Sequence, residues 1–264
     1  MNAMARDPLL DFEGQVALVT GAASGLGALL AAELGARGAR LVLGDRDAAG
    51  LERTTRELSG QGVSVVSSLC DVSAEADCAA LVQLALDEFG SLDLAVNNAG
   101  VAPPMALLED CDDSHLDPQI NINLKGVFYG LKHQLRVMKP RGAGVILNVS
   151  SMAGLGAAPR VSAYSASKHA VIGLTRTAAV ESAAHGVRVN AVCPFFTLTP
   201  MVTGITPPRG VTAEQQLDYL AKNCPMRRLA QPAEVVAVML MLLSPAMSYL
   251  TGQAIAVDGG FSAI

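Results

Sequence analysis

Short apolar runs alternating with helical segments constrain this chain more than any other feature. Residues 16–20, 40–45, 63–70, 92–97, 144–149, 187–192 and 254–257 read as strands, several of them apolar throughout. Between them, residues 25–37, 47–59, 74–89, 114–138, 162–185 and 235–243 carry helical patterning. Strands apolar on both sides and joined through helices belong to a parallel sheet covered on both faces. The expectation is one doubly wound α/β domain spanning residues 1–264, with a seven-stranded parallel sheet flanked by helices. No linker, repeat or low-complexity tract divides the chain.

Composition narrows the function classes. Hydrophobic residues make up 51% of the chain and charged residues only 16%, so much of the surface must be apolar or small. Such a surface favours self-association. A net charge of −5, with no Trp, argues against nucleic-acid partners, which need a basic face or stacking aromatics. Five cysteines without a Cys-x-x-Cys spacing fit a reduced, cytoplasmic protein with buried thiols. No apolar run approaches the ~18 residues that cross a bilayer. His115, His133, His169 and His185 lack metal-ligand spacing, so no metal is expected. Residues 1–12 read as a loose arm without a secretory pattern. Residues 195–223, rich in Thr, Pro and Gly, read as an irregular substrate lid.

In an open parallel sheet, ligands bind beyond the carboxyl ends of the strands. Residues 21–27, Asp45, Asp71, residues 97–100, Ser151 and Pro194 all lie there. Thr20-Gly-Ala-Ala-Ser-Gly-Leu-Gly27 joins the first strand to a helix. Gly21, Gly25 and Gly27 permit a tight turn, and with Ser24 and Leu26 they place free helix N–H groups against a dinucleotide phosphate. Asp45 can accept bonds from both adenosine ribose hydroxyls and would repel a 2′-phosphate, which favours NAD over NADP. Arg46 works against that selection, since a guanidinium can meet a phosphate. Asp71-Val72 can meet the adenine or cap a helix. Asn97, Asn98, Ala99 and Gly100 can line a cofactor or pin strand to strand.

Tyr164 and Lys168 share one helix face, and a phenol beside an ammonium suits acid–base chemistry. The positive charge is expected to lower a phenol pKa that starts near ~10. Ser151 closes the fifth strand thirteen residues before Tyr164. Asn123, set among Ile, Leu, Val and Phe, can bridge to water or to Lys168 in a proton relay. One rival is Ser165-Ala-Ser-Lys168, the Ser-x-x-Lys pair of serine acyl-enzymes, but its companion motifs are missing.

Together these motifs resemble the short-chain dehydrogenase/reductase family in its compact form, from about Gln15 to the C-terminus. Thr20-Gly-Ala-Ala-Ser-Gly-Leu-Gly27, Asn97-Asn-Ala-Gly100, Asn123, Ser151, Tyr164-x-x-x-Lys168 and Val257-Asp-Gly-Gly260 carry the resemblance. It implies a Rossmann-type domain, with Asn123, Ser151, Tyr164 and Lys168 as the catalytic four. Tyr164 and Lys168 would also meet the cofactor, as would Pro194, Thr197 and Thr199. A homotetramer packed through the helices around 114–138 and 163–185 is implied as well. The family's usual Gly after Pro194 is Phe195 here, which removes freedom at positive φ and is expected to narrow the substrate pocket. Candidate pocket residues are Met105, Met152, Phe195, Phe196, Leu198 and Met201, so an uncharged hydrophobic or cyclic alcohol or ketone is expected. Arg209 could read an acid. Two alternatives are an NADPH-dependent 3-oxoacyl-thioester reductase and a non-catalytic NAD-binding protein.

Overall fold

A computed structural model describes residues 8–207 and 210–263. Seven strands form one wholly parallel sheet: β1 (Val16–Thr20), β2 (Arg40–Asp45), β3 (Val65–Leu69), β4 (Leu94–Asn97), β5 (Gly144–Val149), β6 (Val187–Pro194) and β7 (Ala254–Val257). Their order is β3-β2-β1-β4-β5-β6-β7. The order reverses between β1 and β4, the place where open α/β sheets leave a crevice.

Nine α-helical segments are described: α1 (Gly25–Ala36), α2 (Ala48–Gly60), α3 (Glu75–Phe89), α4 (Asp113–Pro118), α5 (Gly126–Arg141), α6 (Ser162–Ser182), α7 (Pro200–Thr203), α8 (Ala213–Lys222) and α9 (Pro232–Leu243). The two-residue period of β1 splits its side chains between two cores. Ala17 and Val19 pack with α1 and α9 on one face, around Leu30, Leu34 and Met239. Val16 and Leu18 pack with α3, α5 and α6 on the other, around Leu81, Leu131 and Val171. A strand buried on both sides favours apolar residues on both faces, which is why β1 opens Val-Ala-Leu-Val before Thr20 at its carboxyl end.

Three features differ from the sequence reading. Phe12, assigned to the loose arm, is fully buried, and its N–H donates to the carbonyl of Arg37. An aromatic ring of that size gains more from the core than an isolated arm can offer. The segment expected to be an irregular lid is not irregular: it contains α7 and α8, and α8 starts with a Thr212/Gln215 capping box. The long helix near 114–138 is interrupted, because residues Gln119–Lys125 form a π-helical turn between α4 and α5. Pro118, which has no N–H to give the ladder, immediately precedes it.

A buried polar ladder locks helices to sheet. Asn97 Nδ2 donates to Asn148 Oδ1 at 2.8 Å and to Gln134 Oε1 at 3.1 Å. Gln134 Nε2 returns a bond to Asn97 Oδ1, and Asn148 Nδ2 donates to Thr175 Oγ1. Gly130 makes room, since a Cβ there would lie 2.3 Å from Asn97 Oδ1. Asn97→Ala strands the amides of Gln134 and Asn148 in the core. It should cost about 1–3 kcal/mol, read as a lower denaturation midpoint with an unchanged slope.

Candidate active site

The turn after β1 is built for close backbone approach. Gly21 has φ +69°, and a Cβ there would sit 2.7 Å from Asn98 Nδ2. A Cβ on Gly27 would sit 2.2 Å from the carbonyl oxygen of Gly21. Asn98 Nδ2 donates to the carbonyls of Thr20 and Gly21, while Thr20 Oγ1 accepts from the backbone N–H groups of Asn98 and Ala99. Asn98 therefore stitches the end of β4 to the glycine turn. Its amide nitrogen is committed to protein.

Asp45 ends β2 directly beside this turn. Its carboxylate accepts from the N–H of Ala23 at 2.9 Å and from that of Asp47 at 2.9 Å. Arg46 next to it is exposed. Asp71 accepts from the N–H and hydroxyl of Ser73, and these bonds hold its carboxyl below the ordinary carboxylate range. In this state it serves the turn before α3. Val72 is buried beneath Gly126.

The candidate catalytic residues gather at the carboxyl ends of β4 and β5. Ser151 caps a short 3-10 turn and accepts from the N–H of Ala153. Lys168 is 4% exposed, and its Nζ donates to the carbonyl of Val149 at 2.9 Å. A Cβ on Gly100 would lie 3.0 Å from Asn123 Oδ1 and 3.6 Å from Lys168 Nζ, so both groups flank that glycine. Asn123 is fully buried in the π turn. Its Oδ1 accepts from the N–H of Val101, and its Nδ2 donates to the carbonyl of Val101 and to Gln119 Oε1.

Electrostatics correct one expectation. Burial pushes the Tyr164 phenol up from its ordinary value near 10, although a hydrogen bond with Ser151 pulls the other way. Lys168 does not bring it down: its Nζ lies 5.6 Å from the centre of the phenol ring and is held by Val149. Burial lowers Lys168 itself to about 8. Partial burial of the phenol is not offset by an ammonium committed to another oxygen.

Three participants were not singled out from sequence. Ser150 Oγ donates to the carbonyl of Lys168 at 2.9 Å. Cys193 is fully buried on β6 beneath Ser150, with burial pushing its thiol up to about 11. Gln119 is the third. Ser150 carried a weak signal, being the immediate neighbour of Ser151, while the other two looked like ordinary core positions. Ser165, the rival nucleophile, donates instead to the carbonyl of Ala153, a helix-docking bond.

The residues after β6 are placed unevenly. Pro194 closes β6 opposite Val257. Phe195 has no positive φ, so Phe is accommodated without backbone strain. Its ring stacks on Phe261 at 4.4 Å and meets Phe196 edge-on at 4.7 Å. Met152 packs with Ile172 and Cys193 in a small core, and the half-buried Phe195 packs against it while, with Phe196, lining a shallow cavity beside Val257 and Gly259. Thr197 is buried, its hydroxyl donating to the carbonyl of Phe195. Thr199 takes the N-cap position of α7, and a Cβ on Gly25 would touch it at 3.8 Å, so the segment after β6 begins against the glycine turn. Leu198 is half-buried, whereas Met105 and Met201 are exposed. Arg209 lies outside the described residues.

The buried ammonium has a testable sign. Lys168 titrates near 8 when folded and near its ordinary 10.5 when unfolded. Between these values the unfolded chain binds more protons, so stability rises with pH across that window. Lys168→Met removes the buried charge. The variant should melt above the wild type below about pH 8, with the gain shrinking as pH climbs towards 10.5.

Comparison with known proteins finds relatives over nearly the whole chain. A family model described as enoyl-(acyl carrier protein) reductase matches residues 21–262. The chain is 44% identical to cis-4-hydroxycyclohexanecarboxylate dehydrogenase of Sinomonas cyclohexanicum, over 96% of this chain and 98% of that protein. It is 36% identical to levodione reductase of Leifsonia aquatica, over 97% of each. The crystal structure of a levodione reductase superposes with a TM-score of 0.92 at 35% identity, covering 96% of this chain and 99% of the other. A mutant actinorhodin polyketide ketoreductase with NADPH gives 0.89 at 37% identity, covering 95% and 98%. With its parallel sheet, glycine turn and Ser151, Tyr164 and Lys168 at one rim, the chain belongs to the short-chain dehydrogenase/reductase family of alcohol and ketone oxidoreductases.

Proposed function

We propose that this chain interconverts a secondary alcohol and a ketone with NAD, using Ser151, Tyr164, Lys168 and Asn123. The observation that carries the reading is the convergence of these four residues at the ends of β4 and β5, beside a glycine turn in which Cβ atoms at Gly21 or Gly27 would collide with backbone or Asn98. That cradle fits a dinucleotide pyrophosphate, and Asp45 beside Ala23 fits the adenosine ribose. Bound nicotinamide would supply the hydride acceptor or donor.

The chain's own residues handle the proton. Tyr164 Oη takes it from the alcohol or gives it to the forming alkoxide. Ser151 Oγ donates to the same substrate oxygen, where negative charge develops. Lys168 Nζ, already desolvated, supplies the positive charge that phenolate formation needs once it turns from Val149 towards the cleft. Asn123, across Gly100 from Lys168, holds the far end of the proton path.

The substrate in this reading is a ring-bearing, largely apolar alcohol or ketone. In this reading the half-buried Leu198 and the exposed Met105 and Met201 would supply the apolar side of the cleft. A relative named for a cis-4-hydroxycyclohexanecarboxylate substrate supports the ring, though that substrate also carries a carboxylate. Exposed apolar side chains support a homotetramer: Phe128 on α5, Val180 on α6, Met241 on α9 and Tyr249 are 48%, 81%, 47% and 104% exposed. The free cysteines of the described residues suit a reducing cytoplasm.

The test is reduced-nicotinamide absorbance with NAD or NADP and a panel of cyclic secondary alcohols. Turnover with NAD is expected, and Tyr164→Phe should abolish it while NAD binding persists. Activity confined to NADPH and 3-oxoacyl thioesters would replace this reading, as would full turnover in Tyr164→Phe.

A further inference from the structure

The π turn places an unassigned amide behind the proposed proton path. Gln119 is 1% exposed, and its Oε1 accepts from Asn123 Nδ2 at 2.6 Å. The two residues are four apart on one helix face. Asn123 makes two further bonds, both to Val101: Oδ1 accepts from its N–H at 2.8 Å and Nδ2 donates to its carbonyl at 2.9 Å.

These partners are polarised. Both Nδ2 protons face acceptors, and Oδ1 faces a donor. A half-turn of the amide would aim Oδ1 at the Val101 carbonyl and at Gln119 Oε1, and would set an NH₂ against an N–H. Without Gln119, one of the two acceptors holding Nδ2 is lost in a site closed to water. The orientation matters because Asn123 Oδ1 and Lys168 Nζ flank Gly100. Of Asn123's bonds, only the one to Gln119 comes from a side chain, so substitution can remove it without touching the loop after β4.

Resting on the alcohol/ketone reading above, we propose that Gln119 is a positioning residue that fixes the Asn123 amide, with Oδ1 towards Val101 and Lys168, and thereby sets proton delivery. It touches neither substrate nor cofactor. Gln119→Met keeps the volume but deletes the acceptor, whereas Gln119→Glu keeps an acceptor in place.

Two readouts test this. In steady-state kinetics with NAD and a cyclic alcohol, Gln119→Met should lower kcat by about tenfold and displace the pH limb of kcat, with the KM for NAD unchanged. Gln119→Glu should recover most of kcat above the pH at which its carboxyl ionises. In amide hydrogen exchange, which needs no turnover, the Val101 N–H should lose protection in Gln119→Met and keep it in Gln119→Glu. Wild-type kcat and pH profile in Gln119→Met would overturn the proposal, as would unchanged exchange at Val101. Equal impairment of both variants would also overturn it. A wild type that turns over no alcohol would sink the catalytic reading instead, and the exchange experiment would still decide whether Gln119 orients Asn123.

Discussion

A buried ammonium organises this protein. Lys168 reaches from α6 to the carbonyl of Val149 at the end of β5, and Ser150 Oγ reaches back to the carbonyl of Lys168. Burial makes the charge costly, and the cost shows in a pKa lowered to about 8. A fold optimised for stability alone would place an apolar residue there. The surrounding packing holds the charge in place: Gly154 is small enough to let the 3-10 turn lie against α6, since a Cβ would come within 2.6 Å of Ser150 Oγ and 2.7 Å of the Lys168 carbonyl oxygen.

The rest of the rim follows from the sheet order. Reversal between β1 and β4 opens a crevice, and Asn98 spans it by bonding the carbonyls of Thr20 and Gly21. The glycine turn and the Ser151/Tyr164/Lys168 corner thus share one rigid base. α5 and α6 are held to that base by the Asn97, Gln134, Asn148 and Thr175 ladder. The segment after β6 is the least packed part of the rim, since α7 and α8 expose most of their surface.

Much of this was legible in the sequence because its signals are local. β1, β2, β5 and β7 have the limits expected from their apolar runs, and the glycine turn needs only its own residues and the strand before it. What escaped depends on distant groups. A π turn and an α turn look alike over a few residues, so Gln119 read as one more helical position. Phe12 gave no period to show that a core waited for it. The Thr212/Gln215 capping box was present but was masked by the flanking Thr, Pro and Gly. The phenol was misjudged because pairing with Lys168 was weighed without burial. Burial of Tyr164 raises its pKa, and Val149 takes the ammonium that was expected to lower it.

In the function proposed above, the free protein holds Tyr164 as a neutral phenol, and catalysis would draw Lys168 from Val149 into the cleft. Phenolate absorbance of wild type minus Tyr164→Phe, titrated with and without NAD, measures it directly. Ionisation above the ordinary value near 10 without NAD, falling clearly when NAD binds, is the expected result. A phenol that already ionises below 10 in the free protein, or that does not respond to NAD, would contradict the account.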